Sequence, residues 1–593
     1  IVMKAFKYFA FSVCLVLFAG SSGTAAAQNY QTTDIQDLAL IYQGGKHRLD
    51  WTVDEFRPYV VHRFLDGSKH WLFDGFLFLE FKNGTGRCYT VGYEKEFARK
   101  PEWEWLLDRI FDEGKSLSAL DRCIGEQIAE IGKPAFRHKV VLGLPEAVRD
   151  QKDWGELDGR RMDFSKDEDQ IAATKWYIDQ LIARFKKAGY KHLELSGFYW
   201  VAEDTNHCGD LTVPLSEYIH AQKKLFYWIP YWQAKGHEDW KRLGFDVAYQ
   251  QPNHFFNKSI PDSRLDEACA VARKNGMAME FEFDERATIA APDTFYDRML
   301  AYIDRFEKND VFNASAVAYY CGNRGVLTLF ESNEHKDKVI MDRLARIIYT
   351  RQVMKYGLPV KNKTRVVAHR GFWHTDGSAE NSVSSLLNAD KLGAYGAEFD
   401  VWMAADGKLV IRHDDKHGSY EMEKNPSTVL TTLELANGEK IPTLEQYLQA
   451  ARKTKLELVL EVKPHATPEA DAEAVRKIVE MIGKYGLTKR VTYISFSFHA
   501  LKELVRVAPA KTPIMYLGGG TLPEDLKKMG MTGCDFNYWV FQNNPTWLHS
   551  IKWLKMASNV WTVNNPVEML WVIENGFDFI TTDRPDLFLR LVR

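Results

Sequence analysis

The chain has 593 residues, 45% of them hydrophobic and 26% charged, with a formal net charge of −3. That length exceeds one ordinary domain and fits roughly two to four. The near-neutral balance argues against a broadly basic nucleic-acid surface, and the 13% aromatic content with 17 Trp suits a large core as well as sugar stacking.

The N-terminus reads as a targeting signal. Met3 is the expected start, Lys4 and Lys7 give a positive region, Phe9 to Phe18 is apolar, and Ala25-Ala26-Ala27 offers a small-residue cleavage site before Gln28. This is the pattern of a secretory signal peptide over residues 1–27, with an apolar run too short to span a bilayer. Cys14 lies inside that run, not after it, which argues against a lipid anchor. An exported protein, periplasmic or secreted and without a transmembrane segment, is expected. Beyond the signal stand Cys88, Cys123, Cys208, Cys269, Cys321 and Cys534; no CxxC occurs, so a zinc cluster is not indicated, and their pairing stays open.

Eight β-rich runs follow in the first half: Leu38 to Tyr42, Phe73 to Phe81, Lys139 to Leu144, His192 to Tyr199, Leu225 to Tyr231, Asp246 to Gln250, Met277 to Phe283 and Ala316 to Tyr320. Amphipathic stretches separate most of them, among them Gln170 to Ala188, Arg264 to Asn275 and Thr294 to Lys308, and His335 to Tyr356 closes the series. Repeated strand–helix alternation predicts a parallel α/β barrel. Three segments carry chemistry: His192 to Trp200 with Glu203 and Asp204 beyond it, the aromatic run Phe226 to Trp232, and Glu280-Phe281-Glu282-Phe283-Asp284-Glu285, whose alternation puts Glu280, Glu282 and Asp284 on one side. Acids beside aromatics at a barrel mouth suit glycan hydrolysis or binding, with Glu203 and Glu282 as the carboxylate pair. They equally suit a barrel filled by aromatics with solvated outer acids. Gly197-Phe198-Tyr199-Trp200, Ile229-Pro230-Tyr231, Gln251-Pro252-Asn253 and Glu280-Phe281-Glu282 loosely resemble the bacterial DUF4855 family, which implies a barrel but brings no established activity.

Residues 357–363 read as a basic, turn-containing linker, so that 28–356 and 364–593 are the expected domains. Alternation then restarts. Arg365 to Ala368 ends in His369-Arg370-Gly371; Ala397 to Val401 places Glu398 and Asp400 two apart on one face; Leu409 to Ile411 leads into Arg412-His413-Asp414; and Leu456 to Lys463 places Glu461 and Lys463 on one face. A core does not bury that many ionisable groups for packing alone.

These motifs, with Glu380-Asn381, Asp406-Gly407, Pro442-Thr443-Leu444, Trp561-Thr562-Val563-Asn564 and Thr582-Asp583-Arg584-Pro585, resemble in order and spacing the glycerophosphodiester phosphodiesterase family. The resemblance implies a second barrel, making the fold class α/β with two tandem TIM-type (β/α)8 barrels. It also implies hydrolysis of a small-molecule phosphodiester to glycerol phosphate and an alcohol. Glu398, Asp400 and Glu461 would bind one divalent cation, Mg²⁺ or Ca²⁺, as hard carboxylate oxygens favour. Arg370 and Lys463 would hold the phosphate, His369 and His413 would move protons, and Trp561 would touch the alcohol portion. Two places depart from the family: Ala379-Glu380-Asn381-Ser382 replaces Pro-Glu-Asn-Thr, and Asp415 to Tyr420 lacks the usual Leu and Arg-Thr-Thr pattern. The second leaves head-group preference open. The alternative function is a glycoside hydrolase or polysaccharide-binding protein carrying the phosphodiesterase barrel as an accessory.

Overall fold

The computed structural model describes residues 29–357 and 362–593. The signal peptide expected at 1–27, and residues 358–361 of the expected linker, lie outside the described residues. All eight strands expected in the first half are present. Asp37–Tyr42, Gly75–Leu79, His138–Leu144, Leu193–Trp200, Leu225–Trp228, Val247–Gln250, Ala278–Glu282 and Val317–Tyr320 pair in parallel, each with the next, and the last closes on the first. Period two along each strand sorts side chains into two cores. Leu38, Tyr199, Tyr227 and Tyr249 fill the barrel interior. Phe76, Phe226, Trp228 and Phe281 point outward against helices such as Asp167–Ala188, Ser263–Asn275 and Tyr296–Lys308. Each large apolar side chain so buried contributes about 1.5–3 kcal/mol. At Gly197 an added Cβ would meet the Leu225 carbonyl oxygen at 2.0 Å, so only glycine lets these neighbouring strands approach.

The second half closes a second parallel barrel from Arg365–Ala368, Gly396–Met403, Glu457–Val462, Val491–Ser495, Ile514–Tyr516, Gly533–Asn537, Ala557–Trp561 and Phe579–Thr582. One sequence expectation needs correcting. The Leu409–Ile411 strand that leads to His413 is not a barrel strand. It runs antiparallel to the end of Gly396–Met403, with Val401 opposite Ile411 and Met403 opposite Leu409. The Asp406-Gly407 turn, Gly407 at φ 75°, folds the chain back on itself. His413 therefore reaches the mouth as a hairpin returning over Asp400, whose carbonyl accepts from the Arg412 N–H at 3.1 Å.

The barrels meet side by side. Helix His335–Tyr356, the last of the first half, packs on helices Pro566–Asn575 and Pro585–Leu591 of the second. Val353 is buried in the second barrel's core, and Val567 packs against the first's. Asn565 Nδ2 donates to Glu307 Oε1 at 3.1 Å, and Arg590 donates to the Asn313 carbonyl at 3.1 Å. A cleft of about 420 Å³ between them is walled by Phe312, Arg351, Trp373, His374, Asn564 and Asp583, among others. Among the described residues the six cysteines are buried and unpaired, and no helix is long and apolar enough to cross a membrane.

Candidate active site

The strand end at Ala368 turns sharply. Arg370 and Gly371 both take left-handed conformations, φ 54° and 75°, which turns the Arg370 N–H onto Glu398 Oε2 at 2.9 Å. Arg370 holds that unusual backbone because its carbonyl accepts from the Asn381 N–H at 3.0 Å and from Ser385 Oγ at 2.9 Å. Gly371 has no alternative residue: a Cβ there would lie 2.4 Å from Ser385 Oγ and 2.6 Å from the Ser385 backbone carbon. The turn delivers His369 with Nδ1 against Asp583 Oδ1 at 2.8 Å and Nε2 3.9 Å from Glu398 Oε2. A carboxylate on Nδ1 keeps the ring proton there and leaves Nε2 as the acceptor. His413 has the same arrangement, Nδ1 against Asp414 Oδ1 at 2.7 Å.

Glu398, Asp400 and Glu461 are brought together as expected. They are buried, and their donor oxygens all lie within 4.8 Å of one another. Asn381, wholly buried, clamps Asp400 from both sides: Nδ2 donates to Oδ2 at 2.8 Å, and Oδ1 accepts the Asp400 N–H at 3.2 Å. Lys463 Nζ sits 3.3 Å from Asp400 Oδ1 and 2.9 Å from Glu461 Oε1. The second contact is close but outside hydrogen-bond geometry, so Glu461 Oε1 has no donor.

The electrostatics follow from that crowding. Burial, and then the charges of Asp400 and Glu461, push Glu398 well above the usual carboxyl range. Burial and Asp400 raise Glu461 to about 8, against the pull of Lys463. For Asp400 burial also opposes ionisation, but Lys463, His413 and Asn381 outweigh it and hold the group at about 2. Burial lowers His413, against the pull of Asp400. One ammonium cannot neutralise three clustered carboxylates. Three buried carboxylates around one ammonium therefore fit a hard divalent cation.

A pocket of about 180 Å³ opens on these groups. It is lined by His369, Arg370, Glu398, His413 and Glu461 on one side and by Ile494, Phe496, Leu517 and Trp561 on the other. Trp561 meets Phe496 edge to face at 5.8 Å, and its indole N–H donates to the Asp535 carbonyl at 2.9 Å. The two cations differ from the sequence expectation. Arg370 lines the pocket, but its guanidinium is paired with Glu380, which also holds Arg412. Lys463 faces Asp400 and Glu461 and is absent from the pocket wall. It pairs with the carboxylate cluster, and of the two cations Arg370 is the one that lines the pocket. Asp583, Glu380 and Asn381, which sequence reasoning quoted only as motif members, turn out to orient His369, Arg370 and Asp400. Of the remaining histidines, His374 lies on the inter-barrel cleft and His417 on the two-stranded Lys416–His417 and Tyr420–Glu421 hairpin, so neither joins the cluster.

In the first barrel, Glu203, Glu280 and Glu282 all line the mouth. Asp284 does not share their face. The strand ends at Glu282, and Asp284 instead caps the following turn and pairs with Arg286 at 2.6 Å. Glu203 and Glu282, the expected pair, both lie on this cleft. Glu282 accepts from the Tyr302 hydroxyl and from the His254 N–H at 3.0 Å, so packing already uses it.

Residues 37–346 match the model of a domain of unknown function, DUF4855, and residues 369–587 match that of the glycerophosphoryl diester phosphodiesterase family. The chain belongs to both, one family per barrel. The relatives of the phosphodiesterase-family barrel include a glycerophosphodiester phosphodiesterase of Caldanaerobacter subterraneus, 28% identical over 244 residues that cover 39% of this chain and 98% of the relative. A Bacillus subtilis glycerophosphodiester phosphodiesterase is 23% identical over 37% of this chain and 84% of its own length. Among solved structures, a glycerophosphodiester phosphodiesterase from Parabacteroides distasonis is 45% identical, covering 39% of this chain and 98% of that one, with a TM-score of 0.39.

Proposed function

We propose that the second barrel is a metal-dependent phosphodiesterase that hydrolyses glycerophosphodiesters to glycerol phosphate and an alcohol, and that the chain is exported under the N-terminal signal, with its domains divided at 357–363. The observation that carries this reading is the juxtaposition of His369 and His413 with the Glu398–Asp400–Glu461 cluster around one pocket. Glu398, Asp400 and Glu461 would hold one Mg²⁺ or Ca²⁺, which when bound offsets phosphoryl charge. Arg370 takes a phosphate oxygen through its guanidinium, suited to two-pronged contact. His369, its Nδ1 proton fixed by Asp583, draws a proton at Nε2 from the attacking oxygen. His413, held by Asp414 and entering as the imidazolium, gives its Nε2 proton to the leaving alcohol oxygen. Phe496, Leu517 and Trp561 give the alcohol an apolar wall that excludes water.

The test is release of glycerol phosphate from glycerophosphocholine and glycerophosphoethanolamine by the whole protein. Release is expected with Mg²⁺ or Ca²⁺ and not in EDTA, and His369→Ala should lose at least about 100-fold. Release that persists in EDTA, or that His369→Ala leaves unchanged, refutes the reading.

A further inference from the structure

The first barrel has a site of its own. At the mouth formed by its strand ends, where barrels of this kind place their chemistry, lies a cleft of about 330 Å³ bordered by Tyr42, Tyr93, Glu203, Phe256, Glu280 and Tyr320. Glu280 is 1% exposed, and among the described residues neither of its carboxyl oxygens has a hydrogen-bond partner. A buried carboxyl without partners is stable only in its neutral, proton-carrying form. Glu203, on the same cleft, is held differently: its oxygens accept from Gln251 Nε2 at 2.8 Å and from the Tyr93 hydroxyl at 3.1 Å. Those donors favour the ionised form. The two carboxyls at one cleft thus differ in their surroundings, Glu280 without partners and Glu203 supplied with donors.

The walls point to the ligand. Tyr93 and Phe256 stand 40% and 38% exposed at the rim, Tyr93 stacked on Phe81 with centroids 4.4 Å apart and Phe256 edge-on to Tyr320 at 5.3 Å. Supported aromatic faces beside the amides of Gln251 and Asn253 suit the C–H face and hydroxyls of a sugar ring. Arg48 is occupied by Glu80 at 2.9 Å, and Lys82 is a further cation on the cleft.

We propose that this cleft is a second catalytic site, cleaving glycosidic bonds of a polysaccharide with Glu280 as proton donor and Glu203 as base. Glu280 passes its proton to the glycosidic oxygen as the bond from that oxygen to the anomeric carbon breaks. Water adds its oxygen to the anomeric carbon, Glu203 takes the proton that water loses, and exchange with solvent restores both groups. Burial and the neighbouring charges of Glu282 and Glu203 push Glu280 well above the usual carboxyl range, in keeping with the donor role. Burial also raises Glu203, against the hydrogen bonds from Gln251 and Tyr93.

The test measures reducing ends released by the whole protein from xylan, mixed-linkage β-glucan, galactomannan and starch, in the presence of EDTA so that the second barrel is silent. Release from at least one polymer is expected, falling at least about 100-fold in Glu280→Gln. Glu280→Gln should melt no lower than wild type, and Glu203→Gln must give the same loss, which keeps the test decisive if the first variant folds poorly. No release from any of the polymers, binding without release, release dependent on a divalent cation, or release unchanged in Glu280→Gln overturns the proposal.

Discussion

Asp535 stands on the Gly533–Asn537 strand at the inner wall of the phosphodiesterase-family pocket. It is 1% exposed, and Oδ1 has no hydrogen-bond partner among the described residues. Burial, opposed only by hydrogen bonding from Asn559, raises its carboxyl from 3.8 to about 7. A group whose folded pKa lies above its unfolded value contributes stability that is fully present below the unfolded pKa. That stability is lost as pH rises through the folded pKa. The window here is pH 3.8 to about 7. At about 1.36 kcal/mol per unit the loss is on the order of 4 kcal/mol. Asp535→Asn keeps the shape and removes the ionisation. For a barrel-sized unit this converts to a melting point roughly 8–16 °C above wild type near pH 8, with little difference near pH 4. Scanning calorimetry at the two pH values, with divalent cation held constant, measures it. An equal difference at both, or a variant that melts lower near pH 8, would falsify the argument that Asp535 is a buried, partnerless acid.

Three further outcomes are expected. Gly371→Ala combines a left-handed penalty of about 1–2 kcal/mol with overpacking of about 1–3 kcal/mol, and Ser385→Ala should not rescue it, because the 2.6 Å contact is with backbone; urea unfolding checks both variants. Asp583→Asn should lower kcat on glycerophosphocholine by on the order of 100-fold with KM little changed, because His369 loses the group that fixes its proton on Nδ1; an equal rise in KM would point instead to a damaged pocket. Glu461→Gln should weaken Mg²⁺ or Ca²⁺ binding at least tenfold by titration calorimetry, and unchanged affinity would remove Glu461 from the cation site.

Most of the fold was legible because both barrels obey local rules. The strand runs are apolar or alternating and amphipathic helices separate most of them, so the eight strands of the first half could be placed before any contact was known. Glu398 with Asp400, and Glu461 with Lys463, were readable for the same reason: spacing of two on a strand fixes a shared face. His413 was placed correctly at the mouth but by the wrong route. A short β run does not reveal whether it joins the barrel or doubles back, and the Asp406-Gly407 turn was the signal that it doubles back. Asp583 and Asn381 resisted because their roles rest on partners that folding alone brings near. Glu280 and Glu282 show the limit most clearly. Alternation places them on one face, and only Tyr302, on the helix that follows their own strand, and His254, on the segment after a neighbouring strand, separate the engaged acid from the free one.

The packing of helix His335–Tyr356 on Pro566–Asn575 and Pro585–Leu591 governs how the two halves can be dissected. The Caldanaerobacter relative is matched over 98% of its length by 39% of this chain, which leaves it no room for a barrel in front. Here the corresponding flank is covered, with Val353 inserted from the other half and Arg584 lying 3.5 Å from Asp310 across the boundary. Severing the chain would expose apolar surface that the two halves bury against each other. Trp373 and Asp583, which border the same cleft, also meet each other at 3.2 Å beside His369. An excised second barrel that proved inactive would therefore report an uncovered flank and a loosened histidine, and would say nothing about chemistry contributed by the first.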